Sequence, residues 1–480
     1  MNNYQNPQPI ESNNNLPEKN QQDPNFVQQQ TLMPVKQKNK LILGIIIGAL
    51  ISLVLAGGVA AFMFFKQGFF SRENIFRKSN NIGSTPTNAP LNPTPKSNNN
   101  GESSNNVIEA NNDFAFDLYS KYESNEGNIF FSPYSISTAL AMTYEGARGQ
   151  TATEMQSVFH FPENEFSRRS SYRELYDQLN KKNQHYELNT ANALWAEQNF
   201  KFLDEYFSVV NKFYDGKVTN LDFKQQPENA RSTINNWVED QTNNKIRNLI
   251  PLGLINDMTR LVLTNAIYFK GEWVQQFNEE QTKEQDFRVA AGNNVKIKMM
   301  QKTDGDAIFG YIQADRLQIL EMPYSGEDLS MLILLPEDDD TRSLEKSLNR
   351  KKLAEWTEKL EEKRVNVYIP RFKFETKYFM EDTLSKMGMP IAFSDNADFS
   401  GMTGAKDLKI SKVIHQTFIE VNEEGTEAAA ATAVIMKEFA IAGPGPQIPT
   451  FRADHPFIFI IQQKETGNIL FMGRVSDPNK

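Results

Sequence analysis

The stretch GTEAAAATAVIMKEFAIAGPGPQIPTF, residues 425–451, lies between a strand-like segment at 413–421 and two strand-like segments near the C-terminus. Its alanine run has high intrinsic helix propensity, which favours a short surface helix capped at Thr426. Laid out as a strand, the same run places small side chains first on both faces. A segment with little bulk, a glycine at its start and no proline before Pro444 is suited to slide between two strands. On these residues alone, both interpretations stay open.

The composition limits the classes of function. The 480 residues are 39% hydrophobic and 23% charged, which is typical of a chain that buries a sizeable core. The net charge of -9 argues against binding to nucleic acid. There is no cysteine, and no two of the histidines lie close enough in sequence for a short metal motif, so we predict neither a metal nor a cofactor. Without a GxSxG motif or a phosphate-binding glycine loop, we do not expect an enzyme. The four histidines are His160, His185, His415 and His455.

The N-terminal region has three predicted parts. Residues 1–40 are rich in Asn, Gln and Pro, which predicts a disordered tail. Residues 41–65 contain no charge, and at 1.5 Å per residue they could cross a hydrocarbon layer of ~30 Å, so we predict a transmembrane helix. Residues 66–106 read as a flexible tether rich in Ser, Asn and Pro. The expected localisation is a single-pass anchor with the folded domain on the extracytoplasmic side. If the apolar segment is a cleaved signal peptide, the protein is secreted.

From residue 107 to 480 the pattern alternates between helical and strand-like segments without a repeat. Helical spacing dominates the first half, at 112–123 and 135–143. Buried strands rich in β-branched and aromatic residues follow at 261–269, 329–335, 365–369, 457–461 and 469–472. This arrangement predicts an α+β domain with helices packed on part of mixed or antiparallel sheets.

Several motifs in this region, in their order and spacing, resemble those of the serpins. The similarity extends over residues 107–480, the whole predicted folded domain. The motifs are NIFFSPYSISTALAMTYEGARGQTATEM (128–155), LTNAIYFKGEW (263–273), LEMPY (320–324), VYIPRF (367–372), EVNEEGTEAAAATA (420–433), HPFIFII (455–461) and ILFMGRV (469–475).

The resemblance implies a fold and a mechanism. The fold would have a large central mixed β-sheet, two smaller sheets, about eight or nine helices and an exposed reactive-centre loop at about 423–450. A serine or cysteine protease would attack one bond of this loop and form an acyl-enzyme. The cleaved loop would then enter the central sheet as a new strand and carry the trapped protease with it. We expect the protein to act as a monomer.

The resemblance also assigns the loop residues. The family's usual interval from Gly425 places the scissile bond at Phe439-Ala440, where the aromatic ring suits a chymotrypsin-like protease. Glu438, Lys437 and Met436 remain alternatives for the bond. The hinge comprises Gly425, Thr426, Glu427, Ala428, Ala429, Ala430 and Ala431. Because it has no proline and no bulky side chain, we predict inhibition rather than a carrier role.

Two further clusters follow from the same resemblance. Ser132, Ser135, Asn265 and His415 match the shutter, a polar cluster that lets the central strands part. Trp273, Arg371 and Glu423 match the breach, where loop insertion starts, with an ion pair between Arg371 and Glu423. His415 is predicted to be structural and not a catalytic base.

One alternative function remains. A serpin-fold protein can be a non-inhibitory binding protein that is cleaved only as a substrate.

A basic cluster near a helix that binds heparin in some serpins is interleaved with acidic residues, which favours a solvated helix face. The cluster comprises Arg168, Arg169, Arg173, Lys181 and Lys182.

Overall fold

The computed structural model describes residues 100–181, 185–290, 293–338, 341–426 and 447–480. These residues form ten α-helices in all, and those in the first half of the chain are the longest. The helices are α1 (Asn100–Tyr122), α2 (Pro133–Tyr144), α3 (Gly149–Phe159), α4 (Glu165–Leu179), α5 (Asp204–Tyr214), α6 (Pro227–Gln241), α7 (Arg342–Ser347), α8 (Arg350–Thr357), α9 (Glu381–Met387) and α10 (Ser400–Thr403).

The six-stranded sheet contains the longest strands and is the central sheet of the prediction. In spatial order its strands are β12 (Phe372–Phe379), β13 (Lys412–Val421), β14 (Gly425–Thr426), β4 (Leu261–Glu272), β2 (Tyr186–Glu197) and β3 (Lys217–Leu221). It is mixed, because β13 runs parallel to β4 and β2 parallel to β3, whereas the other neighbours are antiparallel.

Two further sheets complete the fold. The seven-stranded sheet has the order β1 (Ile129–Phe131), β17 (Ile469–Val475), β16 (Phe457–Gln463), β9 (Leu329–Pro336), β8 (Leu317–Pro323), β7 (Ile308–Ala314) and β10 (Glu361–Arg364). The four-stranded sheet has the order β15 (Thr450–Arg452), β11 (Asn366–Pro370), β6 (Asn293–Lys302) and β5 (Lys283–Ala290). The α+β class with three sheets is confirmed.

The start of α2 shows how local sequence sets an element against the core. The Ser132 side chain accepts a hydrogen bond from the backbone N–H of Ser135, and Pro133 supplies a helical φ at the first turn. Nearly every residue of α2 is buried. Because the helix is enclosed on all sides, its serines face polar partners inside the protein and not water. Ser132 and Ser135 are thereby available to a buried polar cluster.

A separate core lies between α6 and one face of the central sheet. Ile234 and Val238 of α6 pack with Trp195, Val262 and Ile414 from strands β2, β4 and β13. The opposite face of the sheet packs into the main core. Both faces of the central strands are therefore covered, which explains why β4 reads as a continuous apolar run.

The predicted membrane localisation is corrected. Of the helices that the structure describes, none combines the length and the apolar composition that a membrane crossing requires. The longest, α1, includes Glu109, Asp113 and Asp117. The predicted span at 41–65 lies outside the described residues, as do 1–40 and most of 66–106; α1 begins within that last segment.

Candidate functional site

The short strand β14 places the first two hinge residues inside the central sheet. Gly425 pairs with Glu272 and Thr426 with Gly271 on β4, while Thr426 also pairs with Val421 on β13. A Cβ at Gly425 would lie 2.0 Å from the carbonyl oxygen of Gly271, so only glycine fits this position. The entry point of the predicted strand insertion is therefore occupied by the start of the loop.

Thr426 is fixed by a buried hydroxyl pair that the sequence did not indicate. Its side chain is 1% exposed, and its Oγ1 lies 2.8 Å from the Tyr324 hydroxyl. Tyr324 in turn stacks on Trp273, with ring centroids 4.5 Å apart. The LEMPY motif therefore contributes Tyr324 to the hinge site, a role that only the packing reveals.

The predicted breach residues come together at the base of the loop. Arg371 Nε lies 2.6 Å from a carboxylate oxygen of Glu423, whose side chain is only 4% exposed. Glu423 also accepts a hydrogen bond from the hydroxyl of Thr282. Trp273 holds the same turn, because its indole Nε1 donates to the Asn422 carbonyl at 3.0 Å. The carboxylate is therefore buried, whereas Arg371 is 37% exposed and also pairs with Glu279 at 3.0 Å.

The four predicted shutter residues also meet. The backbone N–H of Ser132 donates to His415 Nε2 at 3.1 Å, and His415 Nδ1 bonds to Asn265 Oδ1. Asn265 Nδ2 donates to Ser135 Oγ at 2.5 Å. Because Nε2 accepts a hydrogen bond, the proton of a neutral His415 lies on Nδ1 and is donated to Asn265. The cluster thereby ties α2 to β13 and β4, the two strands that a new strand must separate.

Burial sets the charge state of His415. The side chain is fully buried, and desolvation lowers its pKa from 6.5 to about 3, although a hydrogen bond to Asn265 acts in the opposite direction. The ring is therefore neutral at physiological pH. The ring accepts one hydrogen bond at Nε2 and donates another from Nδ1 within a fixed network, which is a structural role.

Asn192 is a fifth member of this cluster that sequence analysis missed. Its Oδ1 accepts hydrogen bonds from Asn265 Nδ2 and from Ser135 Oγ, the latter at 3.2 Å. Asn192 lies on β2 directly opposite Asn265. No local motif marks it, since its partners are 57 and 73 positions away in the chain.

The central sheet has an unpaired interval just below β14. Strands β13 and β4 pair with each other only from Lys412↔Val262 to Thr417↔Ile267. Residues 418–420 and 268–270 keep their outer neighbours, β12 and β2, but no pairing between described residues joins them across the middle. Among the described residues, β14 lies between the two strands at Val421 and Gly271, beyond the end of their direct pairing.

The remaining predicted loop residues, Glu427 to Ala431 and the Phe439-Ala440 bond, lie outside the described residues. After the loop, β15 pairs with β11 in the four-stranded sheet. The hinge and bond assignments stay predictions.

The basic residues of α4 do not form a free cationic face. Arg168 and Arg169 both pair with the buried carboxylate of Glu145, at 3.1 and 2.6 Å, and the Tyr214 hydroxyl donates to it at 2.6 Å. The Arg168 side chain is 4% exposed. The interpretation of a solvated face is therefore wrong for Arg168, which is drawn inward by an acidic residue on the α2–α3 connection.

A family model described as "Serpin (serine protease inhibitor)" matches residues 109–478, which include the hinge, breach and shutter just described. The chain belongs to the serpin family. The description of the matching model names serine protease inhibition.

Curated relatives match over nearly their whole length. This serpin is 45% identical to bovine leukocyte elastase inhibitor over 378 residues, covering 77% of this chain and 98% of the relative. It is 44% identical to human Serpin B3, covering 78% and 100%.

Solved structures agree with the fold. Uncleaved ovalbumin superposes with a TM-score of 0.70 at 35% identity, covering 78% of this chain and all of ovalbumin. Human thyroxine-binding globulin superposes with a TM-score of 0.72 at 31% identity, covering 79% and 100%. The relatives thus include both named inhibitors and a named binding protein, so the serpin fold alone does not choose between the two functions.

Proposed function

We propose that this serpin is a suicide inhibitor that forms a covalent complex with a serine protease and traps it by inserting the cleaved loop into the central sheet. The observation that carries the proposal is β14, because Gly425 already pairs with β4 and Thr426 pairs with both β4 and β13. The alanines that follow them are small enough to extend the strand without displacing the packed cores on either face. Relatives named as elastase inhibitors point the same way.

The chemical step would be acyl transfer from the peptide bond of the loop to the protease nucleophile. The protease nucleophile attacks the carbonyl carbon of Phe439, the amine of Ala440 leaves with a proton, and residue 439 stays bound to the protease as an ester. A cysteine protease would form the corresponding thioester. Trapping requires the cleaved loop to insert faster than the ester is hydrolysed. The rate of insertion therefore decides between trapping and simple cleavage.

The register of β14 supports the position of the bond. If the pairing of Thr426 with Gly271 is continued residue by residue, Met436 comes opposite Leu261, the first residue of β4. Twelve inserted residues at ~3.3 Å each span about 40 Å. Phe439 would then lie three residues beyond the end of β4, where a bound protease has room. Bonds after Met436 or Lys437 would hold the protease closer against the sheet.

The side chain at Phe439 favours a chymotrypsin-like target. Glu438, Lys437 and Met436 remain the alternatives, and Met436 would suit the elastase-like enzymes after which the relatives are named. We also propose residues 107–480 as the inhibitory unit, with the loop at about 423–450.

The competing function is a binding protein that proteases merely cut. The similarity of this chain to thyroxine-binding globulin favours that alternative. Against it stands the hinge, which contains no residue that would obstruct insertion. The two functions differ in one observable, the fate of the acyl-enzyme.

The full chain should therefore be mixed with chymotrypsin-, elastase-, trypsin- and subtilisin-like proteases and analysed on denaturing gels. We expect an SDS-stable complex with a chymotrypsin-like enzyme. Thr426→Arg should convert trapping into simple cleavage, because it would place a charge beside Tyr324 in a buried site. Phe439→Ala should abolish the complex with chymotrypsin. Cleavage without any complex across the whole panel would instead support the binding protein.

A further inference from the structure

We propose that Ser411, directly before β13, is a positioning residue that closes the end of the central sheet farthest from β14 and is released last when the cleaved loop inserts. The inference rests on the proposed inhibitory function and deepens it, because it names a contact that must break before trapping is complete. Ser411 lies outside the predicted hinge, breach and shutter. We call its contacts with Arg260 and Leu261 the Ser411 clasp.

The Ser411 clasp consists of two hydrogen bonds between the starts of β4 and β13. The backbone N–H of Ser411 donates to the Leu261 carbonyl at 2.9 Å, which continues the parallel pairing that begins at Lys412↔Val262. The Ser411 hydroxyl accepts a hydrogen bond from the backbone N–H of Arg260 at 3.0 Å. Because the second bond uses a side chain, a substitution at Ser411 can remove it and leave the backbone pairing in place.

Arg260 belongs to the side of the sheet that contains β2 and β4. Its carbonyl accepts a hydrogen bond from the backbone N–H of Glu197, the last residue of β2, at 2.9 Å. Its guanidinium Nη1 donates to the carbonyls of Asp257 and Thr259 at 2.8 and 3.1 Å, within the connection between α6 and β4. The backbone N–H that Arg260 offers to Ser411 is therefore held in place by contacts on its own side.

Ser411 belongs to the other side of the sheet, with β12 and β13. The backbone N–H of Ile410 donates to the Ala392 carbonyl at 3.0 Å, and that of Val413 donates to a carboxylate oxygen of Glu381 at 3.3 Å. Glu381 is the first residue of α9, and Ala392 follows that helix in the chain. Each side of the clasp is thus braced independently, so a strand that separates β13 from β4 must break the clasp and not the contacts around it.

The register determines when the clasp opens. An inserting strand starts from β14, where Thr426 pairs with Gly271, and Leu261 lies ten positions further along β4. The strand first meets the six direct pairs of β13 with β4. The clasp lies beyond these pairs and is therefore reached last. Since trapping requires insertion to be completed before the ester is hydrolysed, the strength of the clasp affects the final step.

The clasp can exist in only one of the two states of the sheet. In the intact chain it joins neighbouring strands, which lie about 4.8 Å apart in a sheet, whereas strands with a third strand between them lie about 10 Å apart. Arg260 and Ser411 would then no longer be neighbours. Loss of the Ser411 hydroxyl should therefore destabilise the intact state and leave the inserted state unchanged. An ordinary structural hydrogen bond would contribute to both states.

Thermal unfolding of the full chain before and after loop cleavage tests this state dependence. The loop is cut with a protease that the chain does not trap. Ser411→Ala should lower the melting temperature of the intact chain by about 1–2 °C, since one hydrogen bond is lost, and should not change that of the cleaved chain. Ser411→Thr keeps a hydroxyl and should behave as the wild-type chain in both states.

The rate of trapping gives a second readout. The chain, in saturating excess, is mixed by stopped flow with the protease that the wild-type chain traps, loaded with a reversible active-site dye, and the limiting rate of dye release is measured. Ser411→Ala should raise this rate by about two- to fivefold, because the closed sheet loses one hydrogen bond that the separated sheet does not contain. Ser411→Thr should show the wild-type rate.

Thr259→Ala is the matched control in the same connection. The Thr259 hydroxyl accepts a hydrogen bond from the backbone N–H of Asn256 at 3.0 Å, so this contact stays on one side of the clasp. The variant should lower the melting temperatures of the intact and cleaved chains equally and leave the limiting rate unchanged. The same pattern in Ser411→Ala would overturn the inference.

The outcomes separate this inference from the proposed function. If the wild-type chain gains no thermal stability on cleavage and traps no protease, both proposals fail. If it gains stability and traps, while Ser411→Ala lowers both melting temperatures equally or leaves the limiting rate unchanged, only the role of Ser411 is wrong.

Discussion

At the scale of single residues, His415 makes the stability of the sheet depend on pH. Its pKa is about 3 in the fold and near 6.5 when unfolded, so between these values the unfolded chain binds a proton that the folded chain does not. The contribution of His415 is therefore complete above pH 6.5 and is lost as the pH falls towards 3. The loss is about 1.4 kcal/mol per pH unit, or about 2 kcal/mol at pH 5.

Urea denaturation at pH 7.5 and pH 5 checks this expectation. The difference between the wild-type chain and His415→Asn should shrink at the lower pH. His160 provides a control of opposite sign, since its hydrogen bond with Asp117 raises its pKa and its contribution is lost as the pH rises. A pH-independent difference for His415→Asn would contradict the neutral, buried imidazole.

Also at the residue scale, Glu423 should restrain the hinge. Glu423→Lys removes the partner of Arg371 and places a second cation beside it, in a position where the wild-type side chain is almost fully buried. We expect polymers on native gels after mild heating and a reduced yield of inhibitory complex, because the part of the central sheet beside Glu423 would open without a cleaved loop. Asp286→Asn, in an exposed pair with Lys296, should form no polymers. Unchanged inhibition in Glu423→Lys would argue against a role for Glu423 in restraining the hinge.

At the scale of elements, the position of α4 depends on one buried carboxylate. Glu145→Ala would leave Arg168 and Arg169 without their common partner, and breaking a buried pair from one side costs about 3–5 kcal/mol. The free energy of unfolding should fall by that amount. Asp177→Ala, which breaks the exposed pair with Arg173, should cost less than about 1 kcal/mol.

The contacts of α4 also show why its charge pattern alone does not predict the partners of its arginines. A cluster of arginines on a helix indicates either a binding face for polyanions or a solvated surface. The structure instead turns Arg168 and Arg169 towards Glu145, more than twenty positions earlier in the chain. Acidic residues on α4 pair with Arg169 and Arg173, but local charge patterning could not have identified Glu145, which lies outside the helix.

At the scale of the whole molecule, loop cleavage should raise stability. A new strand that forms about a dozen backbone hydrogen bonds at ~0.5–1.5 kcal/mol each contributes roughly 6–18 kcal/mol before the entropy of ordering. Because burial of side chains in the completed sheet adds to these hydrogen bonds, we expect the melting temperature to rise after cleavage. Differential scanning calorimetry of intact and cleaved chains measures this shift. Equal melting temperatures would mean that the loop does not insert.

The sequence by itself determined the family, the α+β class and the main strands. Periodicity and composition are local properties, so the apolar run at 261–269 predicted β4 and the one at 457–461 predicted β16 correctly. The resemblance to the serpins also selected Ser132, Asn265, His415, Arg371 and Glu423, and the structure brings them into two clusters.

Only the tertiary structure decided the contacts between distant segments. Asn192 joins the shutter, Tyr324 holds Thr426, and Glu145 holds α4, each through partners far away in the chain. Such contacts arise because β-sheets pair strands without regard to their separation in sequence, so no local pattern records which side chains will meet.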